Sequence, residues 1–201
     1  MADHTALAMC DQTIDEHRIG LKPLLRRVWA PIGQRPLTFV RHRYSWRYLV
    51  GFVHPASGRT VFHLASAVSI PLFEVELAAF ARAVGAGPTK QIVLVLDQAD
   101  WHTSTRLTVP EHVRLLFLPA YSPELQPAEH LWPLTNAVLI NRHFASLEEL
   151  EDAQLAQCAA LQLRPDLIRQ GDLLPLVAQA DPQSTRTQAK VDSEPPGCRA
   201  P

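Results

Sequence analysis

The densest apolar run in the chain is QIVLVL at residues 91–96, which leads directly into Asp97. Near-continuous β-forming residues of that length predict a central strand buried on both faces. A further strand is predicted at 113–118, after a turn or short helical segment around 104–107. Earlier in the chain, the strand composition of 46–53, the turn residues Pro55, Ala56, Ser57 and Gly58, and the return run 60–65 predict an antiparallel hairpin. This hairpin would lie beside a first strand through 6–15, where Asp11 and Gln12 interrupt the alternation and beyond which Gly20 and Pro23 stop regular pairing. Residues 72–84 change period: Leu72, Val75, Ala79 and Ala83 share one helical face, and Gly85, Gly87 and Pro88 end the helix. Strand, helix, strand and helix in this order predict parallel pairing with crossover connections.

The segment 119–127 holds three prolines in nine residues, which excludes a long regular helix. A helix can begin near Ala128 and carry Glu129, with Pro133 tolerated in its first turn or at a kink. Residues 146–163 predict a clearer helix: Ser146 is an N-cap, Glu149 the matching acid at the third helical position, and Leu147 and Leu150 open an apolar stripe. From Asp181 onward the chain is rich in Pro, Ser, Thr, Gln and charge without a long apolar run, and it reads as a tail.

The length of 201 residues suits one sizeable core, and 47% apolar with 19% charged residues is a globular balance. Cys10, Cys158 and Cys198 have no paired ligand spacing, which argues against a structural zinc site and a disulfide scaffold. No leader-like opening or membrane-length apolar run is present, so a soluble chain of the reducing cytoplasm is expected. The net charge of -1 does not point to nucleic acid, but its distribution does. Residues 1–60 carry nine Lys/Arg against four acids, 9 - 4 = +5, which leaves -6 for the rest. Such a basic region can contact phosphates, although a solvated Arg-rich face is the plainer alternative.

A carboxylate at the carboxyl end of a buried strand is exposed while its backbone is held rigid, and Asp97 fits that description. Asp15 would lie beside it if the first strand is central, and Glu129 could project back from a helix start. Carboxylate oxygens suit hard Mg2+ or Mn2+. Two such ions about 3.5–4 Å apart activate a nucleophile and stabilise a leaving oxygen in phosphodiester chemistry. Without metal, mutual repulsion would raise one or more of the acids' pKa values. Taken singly, a strand-end Asp also reads as solvated and Glu129 as a helix cap.

Three segments carry a resemblance: DEHRIGLKP at 15–23, LDQADWH at 96–102 and FLPAYSPELQPAEHLW at 117–132. In this order they resemble the three acid-bearing blocks of the mariner-type superfamily of DDE transposases, in particular its bacterial insertion-sequence branch, and the likeness extends from about Asp11 to Leu150. The resemblance implies an α/β, RNase H-like mixed five-stranded sheet flanked by helices. It implies a DDE catalytic domain over 1–165 and a C-terminal extension over 166–201, flexible beyond 180. Asp15, Asp97 and Glu129 would be the catalytic, metal-binding acids, holding two Mg2+ or Mn2+ ions. The implied reaction is cleavage at transposon ends, then attack of a 3′ hydroxyl on target DNA. Implied partners are double-stranded DNA with terminal inverted repeats, target DNA and further copies of the chain on DNA, with no membrane and with nucleoid association when DNA-bound. Family members recognise their ends through N-terminal helix-turn-helix modules. The first acid here stands at residue 15, so that region is expected to be absent. Ala120 stands where relatives commonly have Pro, a change bearing on loop stiffness. The alternatives are a catalytically incompetent DNA-binding or multimerising remnant and an RNase H-like nuclease acting on another nucleic acid.

Among the neighbours, Asp11 and Glu16 are alternative first acids, and Glu16 points to the opposite face if the strand continues. Asp100 and His102 are candidates for supporting the acids from behind, each with a structural or solvated alternative, and His130 is a weaker candidate. Trp101 and Trp132 read as packing residues, while Tyr121 and Ser122 shape the loop approaching DNA. Arg18, Lys22, Arg26 and Arg27 are the preferred phosphate contacts.

Overall fold

The structure is a computed structural model and describes residues 8–34, 36–37 and 43–170. Ala6, the tail from Asp181 and most of the extension 166–201 expected from the sequence therefore lie outside the described residues. One mixed sheet contains β1 (Ala8–Gly20), β2 (Trp46–His54), β3 (Arg59–Ala65), β4 (Lys90–Leu96) and β5 (Val113–Phe117) in the order β3-β2-β1-β4-β5. β1 pairs antiparallel with β2 and parallel with β4, which makes it the central strand, and β5 is parallel to β4. With helices on both faces, this is the RNase H-like arrangement expected from the sequence.

β1 continues five residues past the expected end at Asp15, because β2 supplies partners as far as Gly20 opposite Trp46. The polar run Glu16-His17-Arg18 hides this continuation in the sequence, since the part-buried Glu16 and His17 go to opposite covered faces and only Arg18 reaches water.

On one face, α1 (Ile70–Val84) packs Phe73, Leu77 and Phe80 onto Ile14, Phe52, Ile92, Leu94 and Leu96, with the Phe52 and Phe80 rings stacked at 4.1 Å. Ser69 caps this helix by accepting from the Leu72 amide, and Gly85 ends it in the left-handed region at φ 69°. The buried helical face is thus Phe73, Leu77, Phe80 and Ala81, not the expected Leu72, Val75, Ala79 and Ala83; Val75 is 61% exposed. Two phenylalanines and a leucine remove more apolar area from water than the alanine-rich stripe does, and they set the rotation of the helix. In β4 the residues facing α1 are fully buried, whereas Val93 and Val95 are partly open, so this strand is buried unequally on its two faces.

The other face is covered by α3 (Trp132–Thr135), α4 (Leu147–Gln162) and α5 (Pro165–Gln170), with Leu131, Leu150 and Ile168 packed on Ile19, Leu49 and Val53. Ser146 Oγ accepts from the Glu149 amide at 3.3 Å and Glu149 Oε2 accepts from the Ala145 amide at 2.8 Å, so α4 starts where the sequence places it. α5 has no counterpart in the sequence reading. It rests where the β2–β3 turn has Gly58 at φ 69°, and a Cβ there would collide with the Pro165 carbonyl oxygen. α2 (Asp100–Thr103) is a single turn directly after β4, slightly ahead of the expected 104–107. Among the described residues no helix is long and apolar enough to cross a membrane.

Because Ile168 is fully buried, Ile168→Ala is expected to lower unfolding stability by about 2–5 kcal/mol in urea denaturation. A loss within experimental error would contradict the placement of α5 in the core.

Candidate active site

Asp15, Asp97 and Glu129 line one cleft of about 470 Å³, at the carboxyl end of β4 and beside the middle of β1. Strand alternation puts Ile14 and Glu16 on the α1 face and Asp15 on the other, as expected if the strand continued beyond Asp15. Asp15 Oδ2 accepts from Trp132 Nε1 at 2.8 Å, and Oδ1 accepts from the Glu16 amide at 2.9 Å. Burial pushes the Asp15 carboxyl up to about 7; the indole bond works against that rise, and the charges of Glu16 and Glu129 add to it.

Asp97 follows the last residue of β4 and is exposed. Its Oδ1 accepts from the Ala99 amide at 3.1 Å and lies 2.7 Å from His102 Nδ1. The bond from His102 holds the Asp97 carboxyl below the usual range. Glu129 is also exposed, on a 3-10 turn (Pro127–Leu131) that runs into α3. The helix expected near Ala128 is thus a tight turn followed by a single helical turn, with Pro127 and Pro133 limiting its length.

Behind the cleft, His102 is 2% exposed and sits between two carboxylates, with Nδ1 toward Asp97 and Nε2 2.9 Å from Glu16 Oε1. Burial favours the neutral ring, but the bonds and charges of Asp97 and Glu16 outweigh it and raise the imidazole to about 9. The ring is therefore an imidazolium at neutral pH, donating one N–H to each acid. Phe73 lies against it at 4.5 Å, and Trp101 Nε1 donates to Glu16 at 3.4 Å.

The remaining candidates separate. Asp100 is exposed at the start of α2, and among the described residues no hydrogen bond or ion pair joins it to the three acids; His130 is exposed as well. Arg18 is exposed, with its guanidinium 5.4 Å over the Trp46 ring. Lys22, Arg26 and Arg27 are exposed along the segment that follows β1. At the cleft rim Tyr121 is fully exposed in the left-handed region at φ 58°, strained for a non-glycine residue, with Ser122 beside it. The sequence reading treats Trp132 only as packing and does not single out Gln126 or Gly51. The available signal is spacing: Gln126 and Trp132 stand three residues before and three after Glu129.

Among the described residues no group of three or more His, Cys, Asp or Glu side chains is placed to hold one ion. The donor chemistry nevertheless fits Mg2+ or Mn2+. The acids lining the cleft are Asp15, Asp97 and Glu129, and the part-buried Asp15 is crowded by Glu16 and Glu129, a charge arrangement that a cation relieves. Mg2+ commonly takes one or two carboxylates and fills its shell with water and substrate phosphate, so a closed three-acid cage is not required.

The sheet order and the acid-lined cleft define an RNase H-like domain. The family described as DDE superfamily endonuclease matches residues 12–151, and the chain belongs to that family. The protein named Uncharacterized protein y4pE/y4sA of Sinorhizobium fredii is 35% identical over 106 residues, covering 52% of this chain and 77% of that protein. Similar solved structures include the mariner Mos1 paired end complex with Mg, at TM-score 0.58 and 20% identity over 81% of this chain and 51% of that one. The Mos1 mariner paired end complex with Mn aligns at TM-score 0.55 and 18% identity over 78% of this chain and 53% of that one. The Mos1 Strand Transfer Complex aligns at 0.52 and 18% over 79% and 53%. These three are likenesses of fold, and the chain spans about half the length of each.

The pH dependence of the buried histidine has a definite sign. The folded-state pKa of His102 is raised from 6.5 to about 9, so its contribution to stability is complete below about pH 6.5 and is lost as pH rises through about 9. The melting-temperature gap between wild type and His102→Gln is expected to be widest near pH 6 and to narrow toward pH 10. A gap that stays constant over that range would contradict the charged bridge.

Proposed function

We propose that this chain is the catalytic part of a transposase of the mariner-type, bacterial insertion-sequence kind, cutting DNA at terminal inverted repeats and joining the freed 3′ ends to target DNA. The observation that carries this reading is that acids from three separated sequence blocks, Asp15, Asp97 and Glu129, line the same cleft. They would hold two Mg2+ or Mn2+ ions, which supply Lewis-acid activation of the attacking oxygen and stabilisation of the leaving one. Asp97 meets the cleft with its carboxylate steered by His102, and the imidazolium keeps it ionised. Asp15 is fixed by the Trp132 indole and the Glu16 amide. Glu129 lines the cleft from its 3-10 turn. Arg18, Lys22, Arg26 and Arg27, exposed in the second half of β1 and the segment after it, are proposed to neutralise DNA phosphates, since guanidinium forks and ammonium charges suit phosphate oxygens.

The segment between β1 and β2 supports a proposal of self-association on DNA. Trp29 and Ile32 are fully exposed and Leu37 nearly so, a set of large apolar side chains on a basic strip that would be costly to leave in water. A second copy of the chain is the proposed cover.

Activity is tested by incubating the full chain with Mn2+ and short duplexes: plain duplex, RNA–DNA hybrid and duplex ending in inverted repeats. Asp97→Ala is expected to lower metal-dependent strand scission or joining by on the order of 100-fold or more. Equal product from both proteins would contradict the assignment. Preference for the hybrid would point to a nuclease, and salt-sensitive binding without scission to a non-catalytic remnant. For self-association, sedimentation on a DNA duplex is expected to shift from a two-copy to a one-copy complex when Trp29 and Ile32 are both changed to Ser; an unchanged complex would contradict that interface.

A further inference from the structure

We infer that Gln126 and Trp132 are positioning residues that clasp the segment bearing Glu129 onto β1, and so hold Glu129 and Asp15 across one cleft. The inference rests on the metal-binding reading of that cleft. Pro119, Pro123, Pro127 and Pro133 deny the segment a continuous helical hydrogen-bond ladder, so side-chain tethers join the core packing of Ala128 and Leu131 in placing it. Two such tethers reach adjacent residues of the central strand. The buried Gln126 donates from Nε2 to the Ile14 carbonyl at 2.9 Å, and Trp132 donates from Nε1 to Asp15 Oδ2 at 2.8 Å.

The indole is itself held from two sides. Gly51 is the partner of Asp15 across β1 and β2, and a Cβ at that position would lie 2.9 Å from Trp132 Cη2. The ring therefore lies against bare backbone, a closeness that only glycine permits here. His17, two residues along β1 on the Asp15 face, stacks on the indole at 4.9 Å with planes 15° apart, and its Nε2 lies 3.1 Å from Asn136 Oδ1. These contacts fix the indole plane, and the plane aims its N–H at Asp15. Groups that orient a metal-binding side chain in this way commonly govern affinity by about 10- to 100-fold.

Trp132→Phe keeps an aromatic ring and removes the N–H; Gln126→Leu keeps the volume and removes the donor. Free Mn2+ is titrated against each full-length protein and followed by electron paramagnetic resonance. Asp15→Asn serves as the ligand control, and Phe144→Leu, in the same apolar layer but away from the cleft, as the packing control. Both clasp variants are expected to bind Mn2+ about 10- to 100-fold more weakly than wild type while Phe144→Leu retains wild-type affinity. In nuclear magnetic resonance spectra, the Trp132 indole N–H signal is expected to move in Asp15→Asn. Wild-type affinity in Trp132→Phe and Gln126→Leu, or an equal loss in Phe144→Leu, would overturn the clasp and leave the metal reading standing. A wild-type chain that binds Mn2+ no more tightly than Asp15→Asn would overturn both.

Discussion

The strict two-residue period of β1 is the constraint on which the rest of the site depends. Asp15 and Glu16 are neighbours in sequence, so a central strand must send them to opposite faces. Asp15 enters the cleft, while Glu16 enters the α1 layer and meets a buried imidazole. That imidazole extends its other nitrogen to Asp97 at the end of the next strand. The sheet thus carries a line of alternating charge from the α1 layer to the edge of the cleft, and the cationic member offsets part of the cost of placing carboxylates near apolar surface. A register slip of one residue would bury Asp15 against Phe73 and expose Glu16, dismantling both halves together.

The cleft sets opposite demands on its acids. Asp97 is exposed and kept ionised by a cationic neighbour, so its charge does not depend on metal. Asp15 is part-buried among like charges, and near neutral pH it is poised between its protonated and ionised forms. On the proposed reading, a divalent cation in the cleft would favour ionisation of Asp15, and protons and metal would compete there.

Much of this architecture was legible in the sequence because apolar pattern and turn residues agree with the fold over most of the chain. QIVLVL followed by Asp97, the hairpin around Pro55 to Gly58 and the Ser146 cap with Glu149 all state local preferences that tertiary packing upholds. The pattern misled where side-chain size mattered more than period, as in α1, where Phe73, Leu77 and Phe80 set the rotation. It was silent where polar residues sit on a strand covered on both sides, as at Glu16 and His17 in the continuation of β1. The cleft's acids were readable from motif order. Their supports were not, because the indole N–H of Trp132 and the absent side chain of Gly51 act through contacts between residues far apart in sequence. A short helix such as α5, with Ile168 as the one fully buried side chain among its described residues, leaves too brief a pattern to read.

The central claim is that Asp15, Asp97 and Glu129 act together as ligands of divalent cations. Anomalous diffraction from crystals of the protein grown with Mn2+ and a short DNA duplex tests it most directly. Mn2+ peaks are predicted in the cleft, within ligand distance of carboxylate oxygens of Asp15, Asp97 and Glu129. Saturating Mn2+ with no peak touching Asp15, or peaks confined to acids outside the cleft, would contradict the account.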